Sequence, residues 1–421
     1  MPNSVINVVN HSLYQVEVQC PQCGAPIGLQ ETDYIVRCDF CRTRQALVSS
    51  GCPCYYLPPV FQNAHSSLVY FPFWRFKGIS FVYDAKHIGH RLIDANVKAL
   101  TGEDIPYSLG IRAQTQKWRF IDRKTSGIFL KPQISWKSLA RTLARNMMPR
   151  RLKDSEKMDQ TFVGEIVSLL FAPYFVEKGY VQDGLTGDIV NTSVLHSSFE
   201  AQERARISPL HCIPVCCPHC GWDLVGTHES LLHLCPQCLR AWTISSSCLE
   251  QCTFLMCPSG HQNDSFLPFW ELELTGPEDS IVPYMLDGSK KHRLSMMHNG
   301  NGQAKMSIRI PGFKVRPALF LRLGSQFSHH NFQGDVPNRL PQGDIFPVTL
   351  PVTEAFQAVP AILLQLTNQK SALLSEMKHG GIRVQSSRLF YLPFEKRGME
   401  YIQSELRISI QKNALFWGKG L

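Results

Sequence analysis

The chain has 421 residues, 44% of them hydrophobic and 18% charged, and carries a formal net charge of +9. This composition excludes a disordered or fibrous chain, and the length suits two to four domains at roughly 100–200 residues each. The positive balance is modest for such a length and favours acidic partners without marking a dedicated nucleic-acid domain.

The opening residues Met1-Pro2-Asn3-Ser4-Val5-Ile6-Asn7 lack the basic start and apolar core of a secretory signal. The longest apolar stretch, Val163 to Val176, is interrupted by Glu165 and Pro173 and is too short to span a membrane. The expected location is therefore the cytoplasm, where thiols stay reduced. There the fifteen cysteines read as metal ligands and buried thiols, not disulfides.

In chain order, the first feature is Cys20-Pro-Gln-Cys23-Gly24 followed by Cys38-Asp-Phe-Cys41. Two cysteines separated by two residues reach one ion from a single tight turn, and Gly24 permits the positive φ such a turn demands. The fourteen intervening residues suit a hairpin over Ile27–Val36 that folds one turn onto the other. The spacing predicts a four-cysteine zinc ribbon over residues 15–50. Iron is the alternative occupant of such a sulfur set. With all four positions filled by protein, the site is structural and not catalytic.

Residues 51–205 read as a β-rich α+β domain. Leu68–Tyr83 is rich in aromatic and β-branched residues, and its Pro72 is expected to start a strand or lie on an edge. Trp74 and Phe76 alternate with Phe73, Arg75 and Lys77. No acidic residue lies between Asp122 and Asp154, an interval that includes Arg123 and eight further Lys and Arg residues. Within it, Ser135–Met148 predicts an amphipathic helix, with Trp136, Leu139, Leu143 and Met147 on one face and Lys137, Arg141 and Arg145 as a stripe. Together with Arg150 and Arg151, that stripe is a candidate surface for an anionic partner. Three readings stay open: a solvated face, an anionic membrane surface, or nucleic-acid phosphate. A second helix is expected over Thr161–Leu170, before Phe171-Ala-Pro173-Tyr174.

Past a join near Ala201–Pro209, the pattern returns. Cys217, Cys220, Cys235 and Cys238 stand 197 positions after the first four cysteines, and Gly221 follows Cys220 as Gly24 follows Cys23. The second zinc ribbon is placed at 210–250. Phe266-Leu-Pro268-Phe269-Trp270 stands 196 positions after Tyr70-Phe-Pro72-Phe73-Trp74, and weaker echoes follow it. Order and spacing thus read as a tandem duplication, with a second β-rich domain over 251–421. Glu271 and Glu273 align with Arg75 and Lys77, so the halves would have opposite charges available to pair. Cys248, Cys252, Cys257 and His261 would form a third ligand set. Its counterpart in the first half is only Cys52-Pro53-Cys54, so buried thiols are the better reading. A second acid-free interval, 288–334, holds Lys290, Lys291, Arg293, Lys305, Arg309, Lys314, Arg316 and Arg322. A helix is expected over Thr353–Lys378, interrupted at Pro360, and Tyr391-Leu-Pro393-Phe394 closes the second half.

The sequence contains no His-Glu-x-x-His, no phosphate-binding loop, no Gly-x-Ser-x-Gly and no Gly-x-Gly-x-x-Gly. The expectation is a non-enzyme without a small-molecule substrate. The Cys-Pro-x-Cys-Gly turns followed by an aromatic-x-Pro-Phe-Trp strand resemble uncharacterised bacterial zinc-ribbon proteins, whose ribbons are of the transcription-factor-IIB type. The resemblance covers roughly residues 18–83 and 215–275. It implies a cytoplasmic adaptor near the inner membrane, acting with partners of the envelope-stress response, and carries over no catalytic residue. The combined reading is an α+β, β-rich tandem protein with two structural zinc ions, binding another protein. The alternative is nucleic-acid binding through the ribbons and the basic stretches 123–153 and 290–322.

Overall fold

The computed structural model describes residues 16–48, 51–61, 66–84, 86–102, 105–110, 116–122, 124–146, 159–177, 180–190, 204–205, 207, 211–244, 248–261, 263–277, 296–299, 303–330, 332–379 and 382–418. The fold is mixed α+β and rich in strand, with two separate four-cysteine clusters. Contacts divide the chain into two compact units. Unit 1 is Met1–Arg75, Ala95–Trp136 and Val167–Cys212; unit 2 is Phe76–Asp94, Lys137–Ile166 and Ile213–Leu421.

Four short strands surround the first cluster: β1 (Val16–Gln19), β2 (Pro26–Leu29), β3 (Ile35–Arg37) and β4 (Arg44–Val48). They pair as two antiparallel couples, β1 with β2 and β3 with β4. Next come β5 (Cys54–Tyr56), β6 (Ser67–Tyr83), β7 (Ile88–Lys98), β8 (Trp118–Phe120) and β9 (Ile128–Phe129), then helix α1 (Trp136–Asn146). Then follow β10 (Asp159–Glu177), β11 (Tyr180–Asp183) and β12 (Ile189–Val190). The main sheet of unit 1 has the order β12-β11-β10-β5-β8-β1-β2.

The second cluster sits among β13 (His211–Pro214), β14 (Leu232–Leu234), β15 (Ala241–Ile244) and β16 (Leu249–Cys252). Beyond it lie β17 (Phe254–Met256), β18 (Ser265–Pro277), β19 (Met296–Asn299) and β20 (Gln303–Pro311). Helices α2 (Pro317–Ser328), α3 (Val352–Leu366) and α4 (Lys370–Lys378) precede β21 (Arg383–Arg397), β22 (Glu400–Gln403), β23 (Ile408–Gln411) and α5 (Lys412–Gly418). The unit 2 sheet runs β19-β20-β18-β21-β22-β23, with β17 on β21. Its core joins Leu267, Phe269 and Leu272 of β18 to Phe320 and Phe327 of α2 and Ile362 of α3. Ile79, Phe81 and Val163 belong to the same core.

The segment Thr161–Leu170, expected as a helix, is instead part of strand β10. Ser168, Leu169, Leu170, Phe171 and Ala172 are buried in succession, so both faces of the strand are covered. A run buried on both faces loses the alternation that marks a strand and mimics a helical face. The expected helix at 353–378 also differs. Helix α3 continues through Pro360, and the break falls at Thr367, which is extended (φ −119°, ψ 148°). Pro360 offers no N–H to the carbonyl four residues back and loosens that turn. Near it, the buried Thr161 hydroxyl donates to the Gln357 carbonyl, three residues before Pro360, at 2.5 Å.

Pro72 and Pro268 lie inside their strands, not at the start or edge. Each lacks an N–H, so the residue across the ladder keeps a free carbonyl. The Gly312 N–H donates to the Pro268 carbonyl at 2.9 Å, while the Gly312 carbonyl accepts from Thr349 and Leu350 at 2.9 and 3.0 Å. The Leu350 carbonyl then accepts the Trp270 indole N–H at 2.9 Å. Unit 1 repeats these bonds. Ala99 donates to Pro72 at 2.9 Å and accepts from Gln133 and Ile134 at 2.7 and 3.0 Å. The Ile134 carbonyl accepts the Trp74 indole at 2.6 Å. In both units a helix begins two residues further on. The closing hairpins agree as well: Leu185 N–H donates to the Asp183 side chain at 2.8 Å, and Leu406 N–H to the Gln403 side chain at 3.0 Å.

Replacing Trp270 with Phe should cost about 2 kcal/mol in urea unfolding, because the buried Leu350 carbonyl loses its donor. Thr161→Val should cost about 1 kcal/mol in the same measurement, because the Gln357 carbonyl loses that donor.

Candidate metal centres

Each cluster is built from two turns of one design. Gly24 N–H donates to the Cys20 carbonyl at 2.8 Å, and Cys20 N–H to the Ala25 carbonyl at 2.8 Å. The second turn repeats this with Arg42 to Cys38 at 2.9 Å and Cys38 to Thr43 at 3.1 Å. In the second cluster the donors are Gly221, to Cys217 at 2.8 Å, and Leu239, to Cys235 at 3.0 Å. The residue after each cysteine pair is left-handed in all four turns: Gly24 (φ 75°), Arg42 (61°), Gly221 (74°) and Leu239 (59°). The glycines were legible in the sequence. Arg42 and Leu239 were not, because neither residue type signals that conformation.

The turns bring together Cys20, Cys23, Cys38 and Cys41 in one group and Cys217, Cys220, Cys235 and Cys238 in the other. In each group all sulfurs lie within 4.8 Å of one another. Cys20–Cys41 and Cys217–Cys238 are both 3.6 Å apart, Cys23–Cys38 3.5 Å and Cys220–Cys235 3.4 Å. A tetrahedral ion with bonds of about 2.3 Å sets its sulfurs about 3.8 Å apart, and a disulfide only about 2.05 Å. The spacing therefore fits a metal-binding set and not a pair of disulfides. In both groups the first and third cysteines are buried and the second is exposed.

Electrostatics argue the same way. Burial works against the Cys20 thiolate, but the N–H groups of Cys23 and Gln22 outweigh it and bring the pKa down to about 6. Burial likewise opposes Cys217, and the Cys220 and His219 N–H groups bring it to about 7. At Cys23 the Ala25 N–H favours the thiolate, yet burial and the neighbouring thiols prevail and push the pKa up to about 12. Four thiols this close cannot all ionise unless a cation lies among them. Zinc fits: it takes four thiolates tetrahedrally, and these sets leave no position for a substrate. Thr43 Oγ lies 3.0 Å from the Cys41 sulfur and adds a polar neighbour to the first cluster.

Among the described residues these are the two groups of ligand atoms that converge. Cys248, Cys252, Cys257 and His261 do not form a third. Cys248 is exposed, Cys252 half-buried and Cys257 buried, where desolvation pushes its thiol up to about 12. Burial raises Cys52 to about 12 and Cys54 to about 11. Cys52 donates to the Val167 carbonyl at 3.2 Å.

The basic residues separate. Lys137 and Arg141 are exposed on α1. The Arg145 side chain and Arg123, Arg150, Arg151, Lys153, Lys290, Lys291 and Arg293 lie outside the described set. Of the expected basic stretch 290–322, Arg316 and Arg322 are exposed, but Arg309 is not. It is buried beside Glu271, donates to the Phe332 carbonyl at 3.3 Å, and lies 5.4 and 5.5 Å from the Phe332 and Phe390 ring centres. Arg388 also pairs with Glu271, at 2.7 Å. Arg75 is buried against Glu31 through two 3.2 Å bonds. The suggested pairing of Arg75 with Glu271 therefore fails, because each charge finds its partner within its own unit.

No protein-family model, curated protein or solved structure matches the chain. No helix among the described residues is long and apolar enough to cross a membrane.

Elemental analysis should return two zinc ions per chain, falling to one in Cys20→Ser, and chelation should lower the melting temperature. Gly24→Ala should cost about 1 kcal/mol, because a side chain is forced left-handed. Arg42→Gly should be close to neutral in the same melt, since relief of that strain offsets the added chain freedom.

Proposed function

We propose that this chain is a zinc-stabilised, non-enzymatic scaffold or adaptor that binds another protein. The observation that carries the reading is the closure of both metal sets by four sulfurs, beside which a large aromatic stands in solvent. Phe40, in the second turn of the first cluster, is 74% exposed, and Trp222, just after Gly221, is 56% exposed. Metal-braced turns hold such rings at little entropic cost, and exposed aromatics are the usual anchors of protein interfaces. The repeated proline, tryptophan and hairpin bonds support a tandem duplication, with two zinc ribbons as its leading elements. A cytoplasmic site of action, peripheral to the inner membrane, belongs to the same proposal.

Nucleic-acid binding is the second reading. Exposure of Lys137 and Arg141 one helical turn apart favours it, while burial of Arg309 removes one of the charges it counted on. Affinity capture by the intact chain, followed by mass spectrometry, should recover a protein that Phe40→Ala/Trp222→Ala loses while its zinc content and melt stay unchanged. Retention of DNA or RNA at physiological salt, sensitive to Lys137→Glu/Arg141→Glu, would replace the adaptor reading. Flotation with anionic liposomes tests the membrane placement.

A further inference from the structure

Unit 1 contains a small ladder whose counterpart in unit 2 has, among the described residues, no strand in the place of β1. In unit 1, β5 runs parallel to β10 and antiparallel to β8, with Tyr55 opposite Phe120 and Tyr56 opposite Arg119. The far side of β8 is closed by β1, which runs parallel to it and sets Val16 against Trp118 and Glu17 against Arg119. The Glu17 carboxylate pairs with Arg119 at 3.2 Å and with Lys117 at 3.0 Å.

In unit 2, β17 runs parallel to β21, with Met256 opposite Tyr391 as Tyr56 is opposite Phe171. Met256 pairs antiparallel with Asp335. The two ladders therefore match Tyr56 with Met256, Arg119 with Asp335 and Phe120 with Val336. Both main-chain groups of Asp335 bond to Met256, at 2.9 and 3.1 Å. By strand alternation, the amide groups of Gly334 and Val336 face the opposite side. Among the described residues no strand pairs with that side. Beside this ladder lies a cleft of 690 Å³, lined by Met256, His261, Phe266, Val336, Pro337 and Leu340. Val336 is 61% exposed. The corresponding residues of unit 1, Tyr56 and Arg119 to Asp122, line a cleft as well.

We propose that the Gly334–Val336 edge of unit 2 receives an extended peptide from a partner protein, running parallel to it as β1 runs along β8. Main-chain hydrogen bonds supply the affinity and alternate side chains the selectivity, as in other strand additions. The occupant has apolar, β-branched residues at alternate positions, after Val16 and Val18 of β1. Its charge is the reverse of β1: where Glu17 meets Arg119, the peptide carries Lys or Arg to meet Asp335. This inference rests on the adaptor reading and names what such a partner offers.

The test uses the full zinc-loaded chain and two synthetic peptides of the β1 pattern, Ser-Val-Lys-Val-Gln-Ser and Ser-Val-Glu-Val-Gln-Ser, titrated by fluorescence anisotropy. The lysine peptide should bind about fivefold more tightly than the glutamate peptide, the scale of opposed against like charges across a strand pair. Asp335→Lys should invert that order. Val336→Pro removes an outward N–H without touching the Met256–Asp335 bonds, and should abolish binding of both peptides with the melt unchanged. Binding of neither peptide at millimolar concentration, or binding indifferent to Val336→Pro, overturns the proposal. A dimer dissolved by Val336→Pro would also overturn it, by assigning the edge to a second copy. Partner capture that survives both Asp335→Lys and Val336→Pro would sink this inference and leave the adaptor reading standing.

Discussion

The fold of both units depends on an amide hydrogen that proline does not have. In an ordinary ladder the carbonyls of Ala99 and Gly312 would accept from the strand opposite. Facing Pro72 and Pro268, they instead accept from Gln133–Ile134 and Thr349–Leu350. That anchors the segment leading into the next helix and turns one of its carbonyls toward the indole of Trp74 or Trp270. Pro173 uses the device a third time: Gly184 donates to it at 2.9 Å and accepts from Val60 at 2.9 Å. A Cβ at Gly184 would meet the Pro173 carbonyl at 2.9 Å, so the close approach requires glycine. Proline inside a strand is normally disruptive. Here the lost bond is replaced by a branch in the hydrogen-bond network.

The metal clusters serve a different end. They take no part in these ladders, and each is held by its own four turn bonds. What they add is rigidity to the turns that carry exposed residues such as Phe40 and Trp222, while Cys20 and Cys38 reach into the core with Ile27, Leu29 and Val36. On the reading proposed above, a closed sulfur set serves display. The adaptor reading follows from this pairing of a coordinatively saturated ion with an exposed ring.

Much of this was legible in the sequence, and the exceptions have physical causes. The eight ligands stood out because coordination geometry imposes a short, fixed spacing on them. Helix α1 was legible because one face is solvated, and its pattern brackets the observed Trp136–Asn146. Thr161–Leu170 was misread because burial on both faces erased its period of two. The interior prolines were misread because their loss is repaired by residues dozens of positions away. Arg309 appeared as surface charge because its partner, Glu271, is distant in sequence. The pairing of β17 with Asp335 leaves no trace in composition.

The assignment of 76–94 and 137–166 to unit 2 has a practical corollary for anyone dissecting the molecule. A gene cut at the apparent join would deliver an N-terminal fragment bearing Ile79, Phe81 and Val163 but not the apolar surroundings that bury them, and a C-terminal fragment with a hole where they belong. Truncation or modular shuffling at that point would yield two aggregating products.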